Sequence, residues 1–136
     1  MSPGHEIYQH SHLTEQVIGA FFEVYNHLRS GFRENVYERA MVFALRDRGL
    51  QVAQQVGVGV RFRNQPVGIF RADLIVANTV LVELKALPTI LPDHVAQTLN
   101  ALRATGLQVG LILNFGPKAQ IKRVVFSRKE AAPVQE

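Results

Sequence analysis

Cysteine and tryptophan are both missing from this chain of 136 residues. Without cysteine there can be no disulfide framework, no thiolate metal site and no thiol nucleophile. Charged residues are also sparse, 19% against 47% hydrophobic. One apolar core is therefore affordable at this length without a covalent or metal staple. Long apolar runs are lacking too, since none approaches the roughly 20 residues that cross a bilayer. The opening Met1-Ser2-Pro3-Gly4-His5-Glu6 has neither the basic start nor the apolar stretch of a signal peptide. A soluble, cytoplasmic protein with no membrane partner is the expectation. Three catalytic signatures are absent as well: a phosphate loop ending in Gly-Lys-Ser/Thr, a His-Glu-x-x-His helix and a Gly-x-Ser-x-Gly elbow. Gly57-Val58-Gly59 is glycine-rich, but Phe62 stands at the third glycine position and the flanking residues alternate like a strand.

Basic residues number 15 against 11 acidic ones, a net charge of +4. That surplus suits a polyanion, whose counterions a basic surface releases. It is equally the charge of an ordinary solubilising surface.

Residues 1–11, with His5 and His10 and with His12 just after them, carry no apolar period and are expected to form a flexible leader; 127–136 are expected to be a tail. Between them, 12–126 read as one domain. Leu13, Val17, Phe21, Val24 and Leu28 recur as one helix face, and Val36, Tyr37, Ala40, Met41, Ala44 and Leu45 as another. The period then changes to two: Val52, Val56, Val58, Val60 and Phe62 share one parity and predict a strand with one buried face. Asn64-Gln65-Pro66 and Ala77-Asn78-Thr79 predict turns into strands over 67–76 and 80–86, an antiparallel meander. Asp93 is placed to cap a third helix bearing Val95, Leu99 and Leu102. Leu107 to Phe115 and Ile121 to Phe126 follow as an apolar interior strand and a short last one. The order α-α-β-β-β-α-β-β predicts one mixed sheet flanked by helices, an α/β fold.

Chemistry concentrates in Asp73 and Val82-Glu83-Leu84-Lys85. Glu83 and Lys85 leave one face of a strand, about 7 Å apart along it. The turn at 77–79 can bring Asp73 opposite Glu83. Two carboxylates and an ammonium on one sheet face suit Mg²⁺ or Mn²⁺, with the lysine stabilising negative charge on a phosphoryl group. The alternative is a plain ion pair between Lys85 and one of the acids.

Asp73…Glu83-Leu84-Lys85, with this element order, resembles the PD-(D/E)XK nuclease signature and its restriction-endonuclease-like core. Gly31-Phe32-Arg33-Glu34-Asn35-Val36-Tyr37 is similar to the Gly-x-x-Glu-x-x-Tyr motif of the GxxExxY family within that superfamily. The likeness runs from about Leu13 to Phe126. It implies metal ligation by Asp73 and Glu83 with the Leu84 carbonyl as a third ligand, and Lys85 as the catalytic lysine. It also implies a ligand role for Glu34, the helix glutamate of some relatives, although a glutamate in a first helical turn is favoured by the dipole alone. Tyr37 either orients a carboxylate or only packs. Gln97 matches the glutamine of a Gln-x-x-x-Tyr element, but Ala101 replaces its tyrosine. His94 and Asn114 lie near without an assigned role.

The resemblance thus implies a divalent-metal-dependent nuclease acting on DNA or RNA. The alternative is a catalytically silent nuclease-fold module that binds nucleic acid or a protein. Arg61, Arg63, Arg71, Lys122 and Arg123 are the candidate nucleic-acid contacts, with Lys118, Arg128 and Lys129 behind them. Cutting both strands of a duplex calls for two active sites, which makes a homodimer an expectation. Phe21 and Phe22 point about 100° apart on the first helix, so either a second helix covers Phe22 or a partner subunit does.

Overall fold

The structure, a computed structural model, describes residues 10–127. Helix α1 spans Ser11–Leu28 and α2 Glu34–Asp47; strands β1 (Val52–Phe62), β2 (Gln65–Val76) and β3 (Val80–Lys85) follow. Helix α3 (Pro92–Thr105) then leads to β4 (Val109–Phe115) and β5 (Ala119–Val125). The five strands lie in sequence order in one sheet, antiparallel except for the parallel β3–β4 pair that α3 connects. No helix among the described residues is long and apolar enough to cross a membrane.

Alternation along β3 creates the two layers. Val80, Val82 and Leu84 face α1 and α2, in a core shared with Phe21, Tyr37, Met41, Leu45, Leu111 and Phe115. Leu81 and Ile112 face the other way, with Ala101 and Leu102 of α3. The β1–β2 turn is a two-residue loop with positive φ at both positions, Arg63 and Asn64 (50° and 60°), and the β2–β3 turn is a three-residue loop, 77–79, with positive φ at Ala77 and Asn78 (51° and 53°). That handedness matches the twist of the flanking strands. The first turn therefore precedes the expected one, and Gln65 and Pro66 already belong to β2. Pro66 is tolerated there because this stretch of β2 has β1 as its only neighbour.

Four further expectations are corrected. Helix α1 begins at Ser11, and His10 bonds Gln108 (3.0 Å), so the last two residues of the expected leader are ordered. Residues 1–9 and 128–136, which hold the rest of the leader and nearly all of the tail, lie outside the described residues. Asp93 is not the cap of α3. Leu91 is, with Pro92 in the first turn and the Leu91 N–H donating to His94 Nδ1 (2.9 Å). The β1 face expected to be buried ends at Val58, for Val60 and Phe62 are 40% and 57% exposed. Finally, α1 and α2 lie side by side on the sheet, and Phe22 remains 41% exposed, so α2 does not fully cover it.

Candidate active site

The ladder between β2 and β3 runs only from Val76–Val80 to Leu74–Val82. At Asp73 the two strands separate, and the N–H of Leu84 donates to Asp73 Oδ2 at 2.8 Å. A side chain has taken the place of a strand carbonyl, which fixes the Asp73 carboxylate against the backbone beside Glu83. Glu83 shares the parity of Leu81 and Lys85 on β3 and is only 8% exposed. Its Oε1 is buried with no hydrogen-bond partner among the described residues.

Electrostatics act strongly on this pair. Burial pushes the Glu83 carboxyl from the usual 4.5 up to about 8; the Asp73 charge adds to the rise, the Asp73 N–H and Lys85 oppose it, and Glu34 adds a smaller rise. Asp73 is also raised, chiefly by burial, with Glu38 adding to it and the Leu84 N–H, Lys85 and Gln55 working against it. Lys85 acts on both acids, yet it is not at ion-pair distance from either. Among the described residues the one ion pair is Arg48–Glu23 at 3.5 Å. The simple ion-pair alternative for Lys85 is therefore not what the fold builds.

Each expected site residue can now be placed. Asp73, Glu83 and Lys85 converge, and Glu34, exposed in the first turn of α2, lies within electrostatic reach of Glu83. Gln97 is exposed on α3 and its side chain makes no hydrogen bond among the described residues. The structure thus provides no contact linking Gln97 to the carboxylates. Tyr37 is fully buried. Its hydroxyl donates to Arg29 O (2.5 Å) and accepts from Phe32 N (3.2 Å), and its ring stacks on Phe115 with centroids 4.2 Å apart. It anchors the α1–α2 loop that presents Glu34 and touches no carboxylate. Asn114 lies beside Lys85 in the β3–β4 register and clamps the segment after β3. Its Oδ1 accepts from Leu87 N and its Nδ2 donates to Leu87 O, both at 2.9 Å. The segment passes so close to β4 that a Cβ on Gly116 would sit 1.9 Å from Leu87 O, so glycine is required there.

The basic candidates do not form one patch. Arg61, Arg63 and Arg71 lie on the β1–β2 hairpin, whereas Lys122 and Arg123 are on β5 at the opposite edge of the sheet. Lys122 is in the same cross-strand row as Ile112 and Glu83, two strands from the acid and on its face of the sheet. Arg123 points to the other face, where its Nη1 donates to Thr14 Oγ1 of α1 (3.3 Å).

Two residues escaped the sequence argument. Gln55 Nε2 donates to Glu38 Oε1 at 2.7 Å and reaches Asp73 Oδ1 at 3.5 Å, while Gln54 Nε2 donates to Glu38 Oε2 at 3.2 Å. One amide thereby spans a helix glutamate and the central aspartate. Gln55 adopts φ +50° to do so, a conformation that costs about 1–2 kcal/mol for a residue with a Cβ. Glu38 had a signal, since it follows Glu34 by one turn on the same helix face. Gln55 had none, because its position depends on the strand register.

The donor set accommodates a divalent cation. An unpartnered buried carboxylate oxygen beside a second carboxylate offers hard oxygen ligands, and Mg²⁺ commonly takes one or two carboxylates while keeping several waters. Among the described residues no three His, Asp or Glu side chains are gathered closely enough to hold a metal by themselves.

A mixed sheet with two carboxylates and a lysine at the splayed β2–β3 hairpin defines a nuclease-fold protein. Residues 11–124 match the family model of the PD-(D/E)XK nuclease superfamily, and the chain belongs to that superfamily. Solved structures agree on the fold. SSO0001 matches with a TM-score of 0.56 at 13% identity, over 71% of this chain and 52% of that one. An alkaline exonuclease from Laribacter hongkongensis matches with a TM-score of 0.52 at 13% identity, over 71% and 57%. The chain spans little more than half the length of either. No curated protein matches it.

Proposed function

We propose that the chain is a divalent-metal-dependent nuclease hydrolysing phosphodiester bonds in DNA or RNA, and that it belongs to the GxxExxY branch of its superfamily. The observation that carries the reading is the orphaned Glu83 Oε1, buried beside Asp73 with Lys85 on the same strand face. Asp73 and Glu83 would hold Mg²⁺ or Mn²⁺ together with the Leu84 carbonyl, and Glu34 would complete the metal site. When bound, such an ion acidifies water and withdraws charge from a phosphoryl oxygen. Asp73 is oriented for this by the Leu84 N–H and by Gln55. Lys85 places positive charge where the pentavalent phosphorus gathers negative charge. Gln97 is assigned a supporting contact to substrate rather than to the carboxylates, and a homodimer through the α1 face around Phe22 would bring two such sites together.

The test is cleavage. Purified protein should nick nucleic acid with Mg²⁺ or Mn²⁺ and stop in EDTA, and Lys85→Ala should abolish the activity while keeping the fold. Undiminished cleavage by Lys85→Ala would overturn the mechanism. Nucleic-acid binding without metal uptake or cleavage would make the chain a silent nuclease-fold module. In light scattering, the mass of a single chain at high concentration would remove the dimer.

A further inference from the structure

The distal half of the β1–β2 hairpin contributes little to either core. Beyond Asp73, β2 has no strand neighbour but β1. A two-stranded ribbon results, about 26 Å long at about 3.3 Å per residue. Val58 and Ala72 are buried, but further out the apolar side chains stand in solvent: Ile69 is 73% exposed, Val67 60% and Phe62 57%. A bare ribbon of this kind is marginal in water and prone to edge pairing, so a partner is expected to cover it.

Charge decides which partner. No acidic residue occurs between Asp47 and Asp73, whereas Arg61, Arg63 and Arg71 all lie on the ribbon and are exposed. None has an acidic partner among the described residues. Arg61 Nη1 donates to Asn64 O (2.7 Å), Arg71 Nη1 donates to Gln55 O (3.3 Å), and the Arg63 guanidinium sits 5.0 Å from the Phe62 ring centroid. Pairing two copies of this ribbon would bring six arginines together. A polyanion neutralises them.

The glycines of the ribbon carry the same message. Gly59 pairs with Ile69, Gly57 with Arg71 and Gly68 with Val60. None has a positive φ. A Cβ at Gly59 or Gly68 would meet nothing within 4 Å, and one at Gly57 only Ile69 Cγ2 at 3.6 Å. Neither φ nor internal packing requires glycine at these positions; the ladder has one irregularity, at Val60/Arg61 beside Gly59 and Gly68, and away from a bulge a strand glycine marks close approach of a ligand or another backbone.

We propose that the β1–β2 ribbon is a duplex-binding arm that enters the major groove of B-form DNA. Its arginines lie on phosphates, and Gly57 and Gly59, on one face, lie against the sugar–phosphate wall. A major groove about 12 Å wide admits a two-stranded ribbon, whereas the deep, narrow groove of A-form RNA does not. Val67, Ile69, Arg71 and Asp73 share one parity of β2, so a strand followed along the arm arrives at the Asp73–Glu83 site. The inference rests on the nuclease reading for what happens there and adds the substrate class, duplex DNA.

Fluorescence anisotropy of the full chain in EDTA tests binding apart from cleavage, using a labelled DNA duplex and an RNA duplex of matching sequence. DNA should bind at least tenfold more tightly. Gly59→Val should weaken duplex binding about tenfold with an unchanged or higher Tm, since the added side chain has room and favours a strand. Arg61→Ala/Arg63→Ala should lower the slope of log affinity against log salt by about two. Wild-type affinity in both Gly59→Val and the double arginine variant would overturn the proposal, as would equal affinity for RNA. So would a dimer that Gly59→Val dissolves while DNA affinity stays unchanged. If the wild type never cleaves but Gly59→Val loses duplex binding, the arm stands and the nuclease reading falls; cleavage with unaltered Gly59→Val binding gives the reverse.

Discussion

Replacing Glu83 by glutamine should stabilise the metal-free protein, although it removes the residue most central to the site. The Glu83 carboxyl is held at about 8 in the fold, against 4.5 when unperturbed, mainly by burial. A folded-state pKa above the unfolded one means that the folded chain binds more protons between those two values. Stability therefore falls as pH rises from about 4.5 to 8, with a slope of up to ~1.4 kcal/mol per unit. At pH 7 the penalty spans about 2.5 units, or ~3.4 kcal/mol; coupling to Asp73 reduces what one substitution recovers, to about 2–3 kcal/mol. Glutamine keeps the shape and never ionises, so Glu83→Gln should raise Tm by roughly 6–12 °C at pH 7 and leave it unchanged near pH 4.5. Metal should reverse the order, because an ion at a thousand times its Kd adds about 4.1 kcal/mol to the wild type only. Thermal and urea unfolding in EDTA and in Mn²⁺, at pH 4.5, 6, 7 and 8, would measure this. A Glu83→Gln protein that is less stable than wild type at pH 7 in EDTA, or a difference independent of pH, would refute the reasoning.

Metal uptake should displace the Glu83 proton, so Mn²⁺ affinity should rise up to tenfold per pH unit between 6 and 8; calorimetry in buffers of different ionisation enthalpy would count the proton, and a flat profile would remove the linkage. Gln55→Gly should relieve the +50° backbone strain, worth about 1 kcal/mol, while weakening Mn²⁺ binding 10–100-fold through the loss of an outer-shell partner; equal Mn²⁺ affinity would show that the amide does not position Asp73. Tyr37→Phe should cost about 1–2 kcal/mol through its two lost hydrogen bonds and leave cleavage per folded molecule unchanged; a large fall in turnover without destabilisation would make the phenol catalytic.

The order and type of the elements were legible because three helices and five strands announce themselves by period, and the meander by close turn signals. The mixed sheet followed from burying both apolar faces. Asp73, Glu83 and Lys85 could be brought together from the sequence because a tight turn at 77–79 leaves little freedom in register. What could not be read depends on where pairing stops. Parity placed Val60 and Phe62 inside, yet the end of the β2–β3 ladder at Leu74 leaves them uncovered. The same separation of strands frees the Leu84 N–H for Asp73 and brings Gln55 under Glu38, and no local pattern encodes either contact. Tyr37 had two readings from sequence, and only the hydroxyl's bonds to Arg29 and Phe32 separate them.

The central claim, that Asp73 and Glu83 hold a divalent ion beside Lys85, is tested most directly by anomalous diffraction from crystals soaked in Mn²⁺. The account predicts one strong peak between the two carboxylates, within coordinating distance of Glu83 Oε1, and its loss in Glu83→Gln crystals. An empty site at saturating Mn²⁺, or a peak that survives the substitution, would contradict it.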